Sequence, residues 1–195
     1  MNNMNKFSEI VFKLRGGIWT ALFLGILFFA NEKPLLWEII LALALIILGQ
    51  LIRFWAVGTI GLYRGEHVKA QSLATTGAYS IMRNPLYFGN FLIGLGWSFL
   101  AGWKIVIVFV ISFWVIYVMI IIPHEENFLT QTFGAEYIFW KRKTGMFFPK
   151  SLDYVRNNFR KGKFKREVLF KSETHSLITT IIGTLAILAK CLCYT

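Results

Sequence analysis

Residues 86–122 read LYFGNFLIGLGWSFLAGWKIVIVFVISFWVIYVMIII, and Lys104 is the one charged side chain in the run. A bilayer core of ~30 Å takes ~20 apolar residues at ~1.5 Å each, so this stretch is long enough for two crossings. Gly102, Trp103 and Lys104 divide it into Leu86 to Ala101 and Ile105 to Ile122. So short a connection sets the two helices antiparallel as a hairpin.

Three further runs qualify outside the hairpin. Gly16 to Ala30 is closed by Asn31, Glu32, Lys33 and Pro34, and no small-residue cleavage site precedes the next apolar run, so it reads as a retained span. Leu35 to Ile52 is followed by Arg53 and an amphipathic run from Phe54 to Tyr63. Leu177 to Leu192 is the weakest, diluted by Thr179, Thr180 and Lys190. The expectation is an all-α integral membrane bundle of about five transmembrane helices forming one domain, with an amphipathic helix on the cytoplasmic side.

Composition agrees: 56 % of the 195 residues are apolar, 16 % are charged and 19 are Phe, too apolar for a soluble domain of this size. Mean hydropathy is +0.56. A net charge of +11 is also a mark of nucleic-acid binders, but here the basic residues avoid the apolar runs and gather between them. Lipid, not nucleic acid, is the partner this implies. Of the Lys and Arg residues, Lys33, Lys104 and Lys190 fall in one set of alternate loops and all the others in the opposite set. Positive residues are retained inside, so the N-terminus is assigned to the cytoplasm and the C-terminus outside.

Two polar stretches carry the candidate chemistry, and both fall on the cytoplasmic side of this topology. The first, Gly61 to Asn90, has turn signals at Gly65 and Gly77 and the pair Asn84-Pro85, which suits Pro85 to the first position of the next helix. Arg83, Asn84 and Tyr87 either line a pocket at the membrane edge, or serve respectively as a snorkelling cation, a helix cap and an interfacial aromatic.

The second stretch, Pro123 to Lys150, begins with Glu125 and Glu126 directly after an apolar span. An acid at that depth calls for a cationic or hydrogen-bonding partner, although acids in a first helical turn also complement the helix dipole. Leu129, Phe133, Tyr137 and Trp140 recur at helical spacing, which predicts that the acid pair opens an amphipathic helix lying on the bundle. Gly94 and Gly96 read as a close helix approach. The basic, aromatic-interleaved segment 151–171 reads as a lipid-surface anchor.

Other chemistries find no support. His67, His124 and His175 are scattered, and Cys191 and Cys193 have no partner at ligand spacing, so no metal is expected. No nucleophile elbow, P-loop or dinucleotide fingerprint occurs.

An ordered set of motifs nevertheless resembles the isoprenylcysteine carboxyl methyltransferase and phospholipid methyltransferase superfamily. It comprises Arg53-Phe54-Trp55-Ala56 with Gly61, LATTGAY at Leu73 to Tyr79, Arg83-Asn84-Pro85-Leu86-Tyr87, the hairpin, Glu125-Glu126, Phe133-Gly134-Ala135-Glu136-Tyr137 and Pro149. The resemblance implies an integral membrane enzyme that uses S-adenosylmethionine. By position it places cofactor contacts at Gln71, Ser72, Leu73, Ala74, Tyr79, Asn84, Pro85, Leu86, Tyr87, Glu125 and Glu126. A carboxylate suits the cofactor's ammonium, Asn and backbone groups suit adenosine, and apolar side chains suit adenine.

Two positions depart from the prenylcysteine enzymes. Asn84 replaces a His, and Ile121 replaces an Arg associated with the substrate carboxylate. Without that cation an anionic acceptor loses a charge-assisted partner, which turns the reading towards a lipid amine or another amphiphilic nucleophile, with Arg53 or Arg83 as substitute cations. The alternative acceptor is a prenylated cysteine carboxyl. From a different class, a non-enzymatic scaffold that recruits anionic lipid would bind no cofactor.

Overall fold

The structure is a computed structural model that describes residues 3–60, 73–161, 164 and 166–193. Helices run in the order α1 (Asn3–Lys13), α2 (Arg15–Phe29), α3 (Leu36–Ile60), α4 (Ala78–Ile81), α5 (Pro85–Ala101), α6 (Trp103–Phe113), a π-helical stretch (Trp114–Ile121), α7 (Ile122–Lys143), α8 (Leu152–Asn158) and α9 (Arg166–Cys193). Among the described residues there is no strand, only the isolated bridges Met82–Gly145 and Thr144–Pro149.

Three helices are long and apolar enough to cross a membrane: α3, the continuous helix Trp103–Lys143 and Ser172–Cys193 within α9. A fourth candidate is α1 with α2, bent by 64° at Leu14, and α5 is a shorter apolar helix of 17 residues. Large apolar side chains such as Leu36, Ile40, Ile47, Ile107, Ile111 and Ile182 are exposed on these helices, which suits lipid and not water. The chain is an integral membrane protein.

The helical hairpin forms where the sequence predicts it, with Gly102 alone between α5 and α6. Gly102 takes φ 114°, a region that favours glycine, and Glu32 from the α2–α3 link fills the space where a side chain would stand. Helix α5 lies against α3 at backbone distance: a Cβ on Gly96 would come within 2.7 Å of the Ala42 carbonyl oxygen, and one on Gly94 would enter the Phe109 ring. Both glycines therefore serve close approach, as their place in an apolar helix implies. The core between them holds Trp97, Phe109, Phe113 and Tyr117.

Several element boundaries differ from the sequence expectation. The run after Ile52 continues α3 without a break to Ile60. The acid pair does not open a new helix, because the fourth span runs on through the π-helical stretch and Pro123 to Lys143. The widened π turns precede a proline that has no N–H to offer and whose ring crowds the preceding turn, and they let the helix pass it. The interruption lies at Gly134 instead, where φ is 52° and ψ is −122°. From Trp103 to Glu125 the rise is about 33 Å, so Glu125 stands close to one membrane diameter from the hairpin turn.

Candidate cofactor site

Beyond α3 the chain is described again from Leu73, and it folds back into a tight turn at Gly77, φ 56°, packed on the Thr59 hydroxyl. Three contacts from distant residues clamp this turn. Tyr154 donates its hydroxyl to the Thr75 carbonyl at 3.3 Å, Gly77 N–H donates to Asn158 O, and the Trp140 indole donates to Tyr79 O at 3.2 Å. Residues Tyr154 and Asn158 belong to α8, so the basic segment walls the turn as well as carrying charge. Phe164 also stacks into the space above Gly58, and Phe159 packs edge-on to Trp55.

Burial pushes the Tyr154 hydroxyl above its ordinary range, which keeps it a donor at neutral pH. Tyr154→Phe removes one partly buried hydrogen bond, of about 1 kcal/mol. Amide exchange across Leu73 to Tyr79 should rise about fivefold, read by hydrogen–deuterium exchange; unaltered exchange would detach α8 from the turn.

Residues 82–84 then run alongside 144–146 as a short parallel seam, with Arg83 N–H on Gly145 O at 2.9 Å and Asn84 N–H on Met146 O at 3.2 Å. The seam presents the Arg83 side chain to α7. Arg83 does not snorkel: its Nε donates to Glu126 at 2.7 Å, and its Nη1 donates to the Thr144 carbonyl. Lys141 takes the other Glu126 oxygen at 2.7 Å. Both oxygens of Glu126 are thus spoken for by cations of the fold.

Asn84 does not cap α5 with its side chain. It is 8 % exposed, and its amide nitrogen is buried with no hydrogen-bond acceptor. A buried donor left in this state among the described residues is costly, and an acceptor from outside them would satisfy it.

Helical rotation turns Glu125 away from its neighbour's ion pairs and towards α5, where its carboxylate acts on the Tyr87 hydroxyl. The Tyr87 ring in turn packs 5.5 Å from Tyr117. The two adjacent acids therefore divide their tasks: Glu126 locks the seam, and Glu125 faces the tyrosines.

Leu73, Ala74, Tyr79 and Leu86 meet Leu129, Phe133, Tyr137 and Trp140 in one apolar cluster. Pro85, wholly buried, starts α5 between that cluster and Asn84. The structure so brings together, from the expected cofactor set, Leu73, Ala74, Tyr79, Asn84, Pro85, Leu86, Tyr87 and Glu125, with Glu126 as their support. Gln71 and Ser72 lie outside the described residues, as do Gly61, Gly65 and His67, and Lys163 and Lys165 of the basic segment.

Arg53 is directed elsewhere, to a bidentate pair with Glu173 of α9 and to Asn90 of α5. Ile121 is fully buried in the core with Tyr117. Sequence reasoning missed Lys141, Thr144, Tyr154 and Asn158 as supports, since nothing local marks them.

The donor set fits S-adenosylmethionine: an acid for its ammonium, a buried amide donor for a ribose or base acceptor, and an apolar wall for adenine. Comparison with known proteins then decides the family. The sequence profile described as "Phospholipid methyltransferase" matches residues 37–136, from the first turn of α3 to just past Gly134. The chain belongs to the phospholipid methyltransferase family.

The motif resemblance from Arg53 to Pro149 is borne out by that match and by individual relatives. Protein-S-isoprenylcysteine O-methyltransferase B of Arabidopsis thaliana is 33 % identical over 139 residues, covering 67 % of this chain and 66 % of that protein. The Saccharomyces cerevisiae protein-S-isoprenylcysteine O-methyltransferase is 34 % identical over 116 residues, 56 % of this chain and 48 % of its own length. The Xenopus laevis protein of the same name is 26 % identical over 144 residues, 71 % of this chain and 48 % of its own. The chain thus spans about half to two thirds of the length of these relatives. No solved structure matches it.

Proposed function

We propose that this phospholipid methyltransferase family member transfers a methyl group from S-adenosylmethionine to an amphiphilic acceptor that enters from the bilayer. The observation that carries the reading is the meeting of Tyr87 with Glu125 beside the unsatisfied amide of Asn84 and the Leu73–Ala74–Leu86 wall. The cofactor supplies a methyl already activated by a sulfonium, so the protein's task is alignment in a dry site. In this reading Glu125 holds the ammonium, Asn84 donates to the adenosine, and the apolar cluster excludes water. Arg83 and Glu126 hold the seam that positions Asn84.

Lys141, Arg142 and Lys143 end the long helix that carries the acid pair, and Arg156 and Arg160 follow in and after α8. Positive residues retained inside support a site facing the cytoplasm. Crossings at α2 with α1, α3, α5, α6 with its π stretch, and α9 make up five spans; α2 reaches spanning length only with α1, and the 17 residues of α5 meet the lower end of the range. The part of α7 beyond Gly134 then lies on the bundle at the interface.

For the acceptor, the names of the relatives favour a second reading, the carboxyl group of a prenylated cysteine. A lipid amine remains the reading suggested by Ile121. A scaffold that recruits anionic lipid predicts no cofactor binding. Titration calorimetry in detergent discriminates: the protein binds S-adenosylmethionine, and Glu125→Ala weakens binding by roughly 10- to 100-fold, the value of a charge-assisted hydrogen bond. Equal affinity in the variant, with the fold intact, would remove Glu125 from the site.

A further inference from the structure

The bend between α1 and α2 puts an unpaired cation next to the site. Arg15 begins α2, and its guanidinium lies 4.2 Å from the centroid of the Phe12 ring while one Nη donates to the Phe12 carbonyl at 3.0 Å. Among the described residues no carboxylate pairs with it, although Lys13 nearby is paired with Glu9. The bend is held in place over the long helix. Tyr117 donates its hydroxyl to the Arg15 carbonyl at 3.2 Å, Ser8 meets His124 at 3.0 Å, and the Phe12 ring packs 5.4 Å from the same His124.

These contacts place Arg15 beside Tyr117, whose ring packs on that of Tyr87. The Arg15 charge is close enough to act on both hydroxyls, and Glu125 acts on Tyr87. A guanidinium has five N–H donors, and among the described residues one of those on Arg15 has a partner, the Phe12 carbonyl. Arg15 is also only half-buried, and exposed apolar side chains, Ile10 and Leu14, flank it on the same bend. A cation with free donors beside an exposed apolar surface suits an amphiphile with an anionic head.

We infer that Arg15 is the residue that reads the acceptor's charge, binding the carboxylate of an amphiphilic acceptor while Glu125 binds the methyl donor beside Tyr87. The inference rests on the proposed methyltransferase reading and specifies its acceptor. It also supplies, from another helix, the cation that Ile121 does not. The step balances without a base: a carboxylate oxygen bonds to the methyl carbon as the carbon–sulfur bond breaks and its electron pair stays on sulfur. The carboxylate becomes a neutral ester and no proton moves. The product thereby loses its attraction to Arg15, which favours its return to the bilayer.

The test uses the full chain in phosphatidylcholine nanodiscs and measures binding of N-acetyl-S-farnesylcysteine, its uncharged carboxamide, and dihexanoyl phosphatidic acid, each without cofactor. The wild type should prefer the carboxylate over the amide by at least tenfold. Arg15→Gln should erase that preference, Arg15→Lys should keep part of it, and S-adenosylmethionine affinity should be the same in all three proteins. A wild type that binds amide and carboxylate equally, or an Arg15→Gln variant that still prefers the carboxylate, overturns the proposal. Tighter, Arg15-dependent binding of the phosphatidic acid would give the cation to a phosphate head and overturn the carboxylate assignment. If Arg15-dependent preference persists in a protein that binds no S-adenosylmethionine, the methyltransferase reading fails while the anion site stands.

Discussion

Arg83→Met should unfold the site and destabilise the whole protein by about 3–5 kcal/mol, the cost of removing one partner from a buried ion pair. The Arg83 and Glu126 side chains are only 7 % and 10 % exposed, so water cannot replace the lost guanidinium. The same substitution deprives the Thr144 carbonyl of its donor and frees one edge of the 82–84/144–146 seam. Methionine keeps the volume, so the loss reports charge and hydrogen bonding and not a cavity. Denaturant unfolding in micelles gives the stability change, and calorimetry should show cofactor affinity falling with it.

Pairing Arg83→Met with Glu126→Leu should recover much of the stability, because two apolar residues leave no stranded charge, and Lys141 is exposed enough to turn to solvent. It should not recover cofactor affinity to the same degree, since Asn84 would still lack its seam. Full affinity in the double variant would mean that the ion pair supports stability alone.

The second large effect is expected at Glu173. Its carboxylate is 1 % exposed and takes both Nε and Nη2 of Arg53 at 2.9–3.1 Å, joining α9 to α3. Further along the same face of α9, Thr180 donates to Gln50 and Thr184 accepts from the Trp97 indole at 2.9 Å. Cys191 ends the row, wholly buried, with its thiol on the Leu100 carbonyl.

Glu173→Ala leaves Arg53 short of its main partner at membrane depth and should cost about 3–5 kcal/mol. The cleanest readout is the Cys191 thiol in a Cys193→Ser background. If the helix opens as a unit, maleimide labelling of Cys191 should accelerate roughly a hundredfold or more, the equivalent of ~3 kcal/mol. Unchanged labelling would show that α9 is held by its apolar contacts and not by this pair.

That row of polar residues also shows where hydropathy misleads. Thr180 is one of the residues that made Leu177 to Leu192 the weakest span in the sequence, and it is one of those that fasten the helix to the bundle. A polar residue in a membrane helix lowers its apparent affinity for lipid while raising its affinity for other helices, and a window average registers only the former. The hairpin was legible because its signal is local: a long apolar run divided by Gly102. The cluster of Leu129, Phe133, Tyr137 and Trp140 was legible for the same reason, through 3.6-residue spacing.

Helix continuity past Pro123 was not legible, since a proline after an apolar run reads as a stop unless the preceding turn widens. Nor was the division of the acid pair. Its logic depends on Arg83, 43 residues earlier in the chain than Glu126, and on Lys141. The 144–146 edge carries no strand pattern, because only three residues take part and all of them offer backbone carbonyls. Resemblance named the cofactor residues by motif, but the supports around them and the cation at Arg15 came from tertiary contacts alone.

The seam between 82–84 and 144–146 has one more consequence, for biogenesis. Its two edges enclose the entire helical hairpin, so the first edge must wait while both membrane passes and the whole of α7 are synthesised. A nascent chain ending near Trp140 would contain Glu126, yet the Arg83 and Asn84 N–H groups would still lack the Gly145 and Met146 carbonyls that they bind. Assembly of the pocket is therefore a late event in the maturation of this protein, and a chaperone or protease has an interval in which to act on it.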